Sequence, residues 1–205
     1  MNKPIKNIIF DLGNVLIAID PELTLAHFRE LGVADFDRLY TLIRQADLFN
    51  RLETGKITVP AFREAIRRHA GLPLTDRQID DAWCAMLLDF PDENITLLCR
   101  LRNRYRLFLF SNTNRIHIDY YLNRLEREKG SPLLPDLFDH TFYSHEIGFR
   151  KPDREAFRYV LEYAGLKPAE TLFIDDLEHN VTGARSVGIQ ACRFTKNDRL
   201  TDWFV

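Results

Sequence analysis

Three short apolar runs, each ended abruptly by polar side chains, constrain this chain more than any other feature. They are Ile8-Ile9-Phe10 before Asp11, Leu107-Phe108-Leu109-Phe110 before Ser111-Asn112, and Thr171-Leu172-Phe173-Ile174 before Asp175-Asp176. Unbroken apolar runs of this length suit strands covered on both faces, the condition of a parallel sheet. Helical patterns follow at Glu93 to Arg104, Arg154 to Ala164 and Asn180 to Val187. Strands alternating with helices predict an α/β fold, a doubly wound parallel sheet with a Rossmann-like core. Such sheets bind ligands outside the carboxyl ends of their strands, where these three runs place their polar residues.

One stretch breaks the alternation. From Pro21 to Phe90 the pattern is nearly all helical, with stops at Gly32, at Glu53-Thr54-Gly55-Lys56 and at Gly71-Leu72-Pro73. Thr75 with Gln78 three residues on has the form of a capping box and predicts a helix start. The chain of 205 residues is long enough for one substantial core and a small second unit. Residues 1–17 and 91–205 are therefore expected to form the α/β core, and 18–90 a small all-helical cap inserted after the first strand. Helices over the strand ends would make a lid; the alternative is a set of flanking helices with no gating role. The turn at Glu53 to Lys56 reads as a plain helix connection, or as a loop aimed at the site.

The formal net charge of −2 gives no electrostatic reason to expect nucleic acid or an anionic membrane. No apolar run approaches the roughly 18 residues of a membrane helix. Lys3 and Lys6 precede an apolar stretch in the manner of a signal peptide. Asp11 interrupts that stretch, however, and no small-residue cleavage site follows, so it reads as a first strand. Cys84, Cys99 and Cys192 are odd in number and lack metal-ligand spacing. They predict reduced, mostly buried thiols and a cytoplasmic protein. No feature specifies an oligomeric state; the tail Trp203-Phe204-Val205 could dock on its own domain or on a neighbour.

Four places carry chemistry, each with a plainer reading beside it. Asp11, before Gly13-Asn14, is either a functional carboxylate or a strand-end cap. Ser111 and Asn112 offer a hydroxyl and an amide to phosphate oxygens, or form an ordinary strand-to-helix loop. Lys151 stands before Pro152, which holds it extended on a stiff loop; it is a fixed cation or a solvated surface lysine. Asp175 and Asp176 repel each other and call for a divalent cation, or they favour a helix dipole.

In this order and context, the four sites resemble the haloacid dehalogenase superfamily across nearly the whole chain. The Asp-Leu-Gly-Asn opening, the Ser-Asn-Thr-Asn-Arg loop and the Arg-Lys-Pro segment are similar to its bacterial sugar-phosphatase branch, which includes α-D-glucose-1-phosphate phosphatases. The inserted helices match the small cap of that superfamily. The resemblance implies a Mg²⁺-dependent phosphatase acting on a small phosphorylated metabolite, with a sugar phosphate favoured. It implies Asp11 as nucleophile, with Ser111, Asn112 and Lys151 on the phosphoryl group. Mg²⁺ would be held by Asp11, the carbonyl of Gly13, Asp176 and Asp175.

Most phosphatases of the superfamily carry a second Asp two residues after the nucleophile, as general acid and base. Here that position is Gly13. Such help is typically worth about 10²- to 10⁴-fold. Its loss suits a leaving group that departs easily, or a proton from elsewhere, for which His117 and His179 are the nearest candidates. Two other functions remain compatible with the motifs: a metal-independent 2-haloacid dehalogenase, and a catalytically weak protein that binds a phosphorylated metabolite.

Overall fold

The computed structural model describes residues 4–33, 47–131 and 134–204. Five strands form one fully parallel sheet: β1 (Asn7–Phe10), β2 (Arg106–Ser111), β3 (His140–Tyr143), β4 (Thr171–Asp175) and β5 (Gln190–Arg193). Their order is β3-β2-β1-β4-β5. The chain builds outward from β1 to β3, then crosses back to lay β4 on the other side of β1. That reversal between β1 and β4 is where a doubly wound sheet opens a crevice. The register sets Phe10 level with Leu109 and with Ile174, so Asp11 and Asp175 stand side by side at the carboxyl edge.

The described helices, in chain order, are α1 (Pro21–Glu30), α2 (Leu48–Glu53), α3 (Val59–Ala70), α4 (Asp76–Cys84), α5 (Asp92–Leu101), α6 (Arg115–Lys129), α7 (Leu134–Leu137), α8 (Ser144–Ile147), α9 (Arg154–Ala164) and α10 (Glu178–Arg185). Strand residues alternate between two buried clusters. Ile8, Phe10, Leu107, Leu109 and Ile174 face one, with Leu97 and Leu98 of α5 and Tyr121 and Leu125 of α6. Ile9, Phe108, Phe110, Phe142 and Phe173 face the other, under Phe157 and Val160 of α9 and Val181 of α10. Each of the three central strands thus needs apolar residues in succession, because both of its faces are covered.

Between β1 and α5 the described residues run mainly as helices. The chain leaves at Ala18–Asp20 and returns at Met86–Leu88, and these two passes pair antiparallel: Asp20 N–H donates to the Met86 carbonyl (2.9 Å) and Leu88 N–H to that of Ala18 (3.2 Å). Phe28, Phe62, Ile79 and Trp83 from these helices extend the first cluster outward from the sheet. Helix α4 opens with the capping box expected at Thr75, whose hydroxyl accepts from Gln78 N–H while Gln78 Oε1 accepts from Thr75 N–H. It packs on α6, with the Trp83 ring stacked on His117 at 5.2 Å. Residues 34–46, part of the expected cap, lie outside the described residues.

One expectation needs correction, and one open alternative is decided for the described residues. Only Cys84 is buried; Cys99 and Cys192 are exposed. The carboxyl-terminal residues Leu200–Phe204 form a 3₁₀ turn on their own domain, with Trp203 against Phe194 (5.6 Å) and Phe204 against Phe10 (6.3 Å). Among the described residues, no helix is long and apolar enough to cross a membrane.

Candidate active site

At the carboxyl edge of β1, Asp11 is fixed by its own backbone: its N–H donates to the Ile174 carbonyl at 2.9 Å. Its Oδ1 accepts from Leu12 N–H (2.8 Å) and lies 2.7 Å from Lys151 Nζ. Lys151 is only 1% exposed and reaches Asp175 Oδ2 as well, also at 2.7 Å. One buried ammonium thus bridges two buried carboxylates from neighbouring strands.

Lys151 sits on the loop between α8 and α9 and is held from both ends. The Asn112 side chain takes its peptide in a reciprocal pair, Nδ2 donating to the Lys151 carbonyl (2.8 Å) and Oδ1 accepting from Lys151 N–H (2.9 Å). Its ammonium rests over the rings of Phe110 and Phe173 at 5.4 and 5.3 Å, a cation–π setting that offsets part of the lost hydration. The Asn112 side chain is thus committed to the Lys151 peptide and helps to place the lysine.

Asp175 is fully buried, and both of its oxygens are occupied. Oδ1 accepts from Leu177 N–H (2.9 Å), and Asn180 Nδ2 reaches Oδ1 and Oδ2 at 2.9 and 3.1 Å. Asp176 is less enclosed and accepts from Asn14 Nδ2 at 3.1 Å. Asn14 takes a left-handed backbone (φ 56°), and its Oδ1 accepts from Ile19 N–H, so the turn after Asp11 is tied to Asp176. Asn tolerates that conformation better than most residues. Asp11, Asp175 and Asp176 each bring one oxygen within 4.8 Å of the others.

Electrostatics follow from this crowding. Burial pushes the Asp11 carboxyl up to about 7; Lys151 pulls against that and Asp175 adds to it. Asp176 is also raised, by burial first, with Asn14 opposing. Burial alone would lower Lys151, but Asp11 and Asp175 outweigh it and hold the ammonium above its ordinary value. A site with surplus buried acid favours a bound cation.

Gly13 lies in the turn beside Asn14, and among the described residues no hydrogen bond uses its carbonyl. A side chain here would collide with Ile19, whose Cδ1 fills the space that a Cβ would enter. Ser111 is buried at the end of β2. The following loop is tied down by Ser144, whose Oγ accepts from Thr113 N–H and donates to the Thr113 carbonyl. His117 is engaged by the backbone of α4. Its Nε2 is 3.1 Å from the Trp83 carbonyl, and burial brings its pKa down to about 4, so it is a neutral donor at physiological pH. His179 is exposed on α10.

The helical segment reaches the same edge. The turn after α2 comes so close to the core that a Cβ on Gly55 would overlap the His145 carbonyl oxygen. Glu53, just before it, lies 3.1 Å from Arg150, the neighbour of Lys151. A cavity of about 580 Å³ lined by Lys6, Arg102, Arg106 and Glu170 lies at the amino ends of β1 and β2, away from these residues. The sequence assigned no role to Asn14, Asn180, Ile19 or Arg150, and named Glu53 only within a turn that could face the site. The two amides had a signal, since each stands within four residues of a motif carboxylate.

A haloacid dehalogenase-like hydrolase model matches residues 5–188. The chain belongs to that family. A D-ribitol-5-phosphate phosphatase of Bacteroides thetaiotaomicron is 31% identical over 186 residues, which cover 91% of this chain and 90% of that protein. A sesquiterpene phosphatase of Aspergillus oryzae is 29% identical over 93% of this chain and 90% of its own. Among solved structures, a wild-type haloacid dehalogenase family enzyme of B. thetaiotaomicron, in complex with magnesium and inorganic phosphate, superposes with a TM-score of 0.91. It is 36% identical over 98% of this chain and 100% of that one.

Proposed function

We propose that the chain is a Mg²⁺-dependent phosphatase that hydrolyses a small phosphorylated metabolite, a sugar or polyol phosphate, through an aspartyl-phosphate on Asp11. One observation carries the reading: a buried carboxylate, raised in pKa, lies against a buried lysine and within 4.8 Å of two further carboxylates. Displacement of halide from carbon has no use for that acidic cluster. The relatives' phosphate esters support the substrate class, though a ribitol ester and a terpenoid ester differ widely in the leaving group.

The residues divide the work by position. Asp11 Oδ1 is held by Leu12 N–H and Lys151. That leaves Oδ2 to attack phosphorus as the bond to the ester oxygen breaks. Ser111 and Lys151 take the phosphoryl oxygens. Water then attacks phosphorus, releases phosphate and restores the carboxylate. Asp11, Asp176 and the Gly13 carbonyl would hold Mg²⁺, with Asp175 helping directly or through water while it also steadies Lys151. When bound, the ion shields the anionic nucleophile from the anionic ester and stabilises charge on the group in transfer. Helices α1 to α4 form the cap, over the strand ends.

Gly13 offers no acid to the leaving group, and Ile19 makes that flank apolar. The ester oxygen therefore departs with little help from this side. A panel of sugar, polyol and acyl phosphates, ribitol 5-phosphate included, tests the reading alongside p-nitrophenyl phosphate, each with Mg²⁺ and with EDTA. Turnover that EDTA abolishes is expected. Chloride release from 2-chloropropionate insensitive to EDTA, with no phosphate release from any ester, would overturn it.

A further inference from the structure

The amino edge of the sheet, opposite the edge that carries Asp11, gathers positive charge around one cavity. That cavity, of about 580 Å³, sets Lys6, Arg102, Arg104, Arg106 and Lys167 against two acids, Asp139 and Glu170. Both acids are already engaged. Glu170 pairs with Lys6 at 3.1 Å, and Asp139 Oδ2 accepts from Leu107 N–H at 2.8 Å. Five cations less two carboxylates leave a formal +3 here, on a chain whose net charge is −2.

Helix ends answer part of this charge. Helices α5 and α9 finish at Leu101 and Ala164, next to Arg102 and Gly165 of the cavity wall. A helix carboxyl end carries about half a negative charge, so the two together offset about one and leave about two positive charges unanswered. The guanidinium groups are also incompletely used. Arg102 Nη1 donates to the Asp136 carbonyl and Arg106 Nη1 to that of Ala164 (3.3 Å), which leaves most of each fork unpaired. The Phe108 ring, 4.9 Å from the Arg106 guanidinium, steadies that group without neutralising it. Arg104 and Lys167 are exposed, and among the described residues neither has an ion-pair partner.

We propose that this cavity is a second anion site, which binds a phosphate-bearing dianion away from the place of reaction. The unanswered charge matches a phosphate group near neutral pH, and guanidinium forks fit phosphate oxygens in geometry as well as sign. The volume lies within the range of pockets that hold small metabolites. Asn7 lines the cavity, and Asp11 follows the far end of β1 four residues on, so the two sites stand about 13 Å apart at the rise of a strand. A group bound at the amino edge therefore touches no reacting atom, and the inference does not depend on the phosphatase reading.

The test is a titration of the isotope-labelled full chain, freed of metal on a chelating resin and followed by amide NMR. Inorganic phosphate and ribitol 5-phosphate are the two probes, each at constant ionic strength with NaCl as the control. Without a metal, the three carboxylates around Asp11 repel anions, so binding at the amino edge is read by itself. Saturable shifts of the Lys6, Arg104, Arg106 and Lys167 amides are expected, with those of Leu12 and Asp176 unmoved. The probe that binds more tightly identifies the source of the phosphate group, free or esterified. Arg104→Gln combined with Lys167→Gln should weaken that binding by on the order of tenfold, through the loss of two charged contacts. Both side chains are exposed, and the wild-type titration needs no variant. Shifts that fail to saturate with either probe, that NaCl reproduces, or that the double variant retains at full affinity would overturn the proposal.

Discussion

Ile19 Cδ1 occupies the space into which a side chain at Gly13 would project. The turn therefore replaces a potential acid with an apolar contact, and the glycine is built into its surroundings. Gly13→Asp alone is expected to destabilise the fold by no more than about 1 kcal/mol, as the terminal methyl of half-buried Ile19 is turned aside. It should leave turnover of alkyl phosphates no higher. Gly13→Asp with Ile19→Ala opens the space and should raise kcat for those poor leaving groups. Urea denaturation and kcat on n-pentyl phosphate check both halves.

Lys151 is the cation on which two buried carboxylates depend. Lys151→Met keeps the stem's volume and removes the charge, leaving Asp11 and Asp175 facing each other. Breaking a buried pair in this way costs about 3–5 kcal/mol. The loss should be largest at neutral pH and smaller in acid, where Asp11 is protonated. Added Mg²⁺ should recover part of the stability without recovering activity, and denaturation midpoints with and without the ion decide it.

His117 supplies a pH signature of its own. Its pKa falls from the ordinary 6.5 to about 4 in the folded chain. The unfolded chain thus takes up a proton at a pH where the folded one resists it. The sign follows: the contribution is complete above about 6.5 and is lost as pH falls from there towards 4. The ring's stack on Trp83 should weaken together with the contact between α4 and α6. The full effect is up to about 3 kcal/mol at 1.36 kcal/mol per pKa unit. His117→Asn should flatten the curve of urea midpoint against pH across that window.

Much of this was legible in the residues. The three apolar runs became β1, β2 and β4, the strands at the centre of the sheet, because only central strands are covered on every side. The edge strands β3 and β5 were missed. His140-Thr141-Phe142-Tyr143 and Gln190-Ala191-Cys192-Arg193 are half exposed and carry no continuous apolar run. Pattern recovered helix α9 to the residue, while α5 ends at Leu101 rather than Arg104, where the chain must turn into β2.

The motif residues Asp11, Lys151, Asp175 and Asp176 do converge in space. Asn112 shows the limit of motif reading: its amide type was plain, but which group it serves depends on a loop 39 residues away. Glu53 and Arg150 could not be paired from sequence at all, since nearly a hundred positions separate them and neither sits in a periodic pattern. Contacts between inserted helices and a sheet edge are set by how the two pack, and local pattern carries no record of that.

The central claim is that Asp11 takes the phosphoryl group. The direct measurement is rapid acid quenching of the Mg²⁺-loaded protein during turnover, followed by mass spectrometry of its peptides. A phosphoryl adduct on the peptide holding Asp11, absent from a folded Asp11→Asn variant that no longer turns over substrate, is the predicted result. Steady phosphate release from that variant would contradict the account.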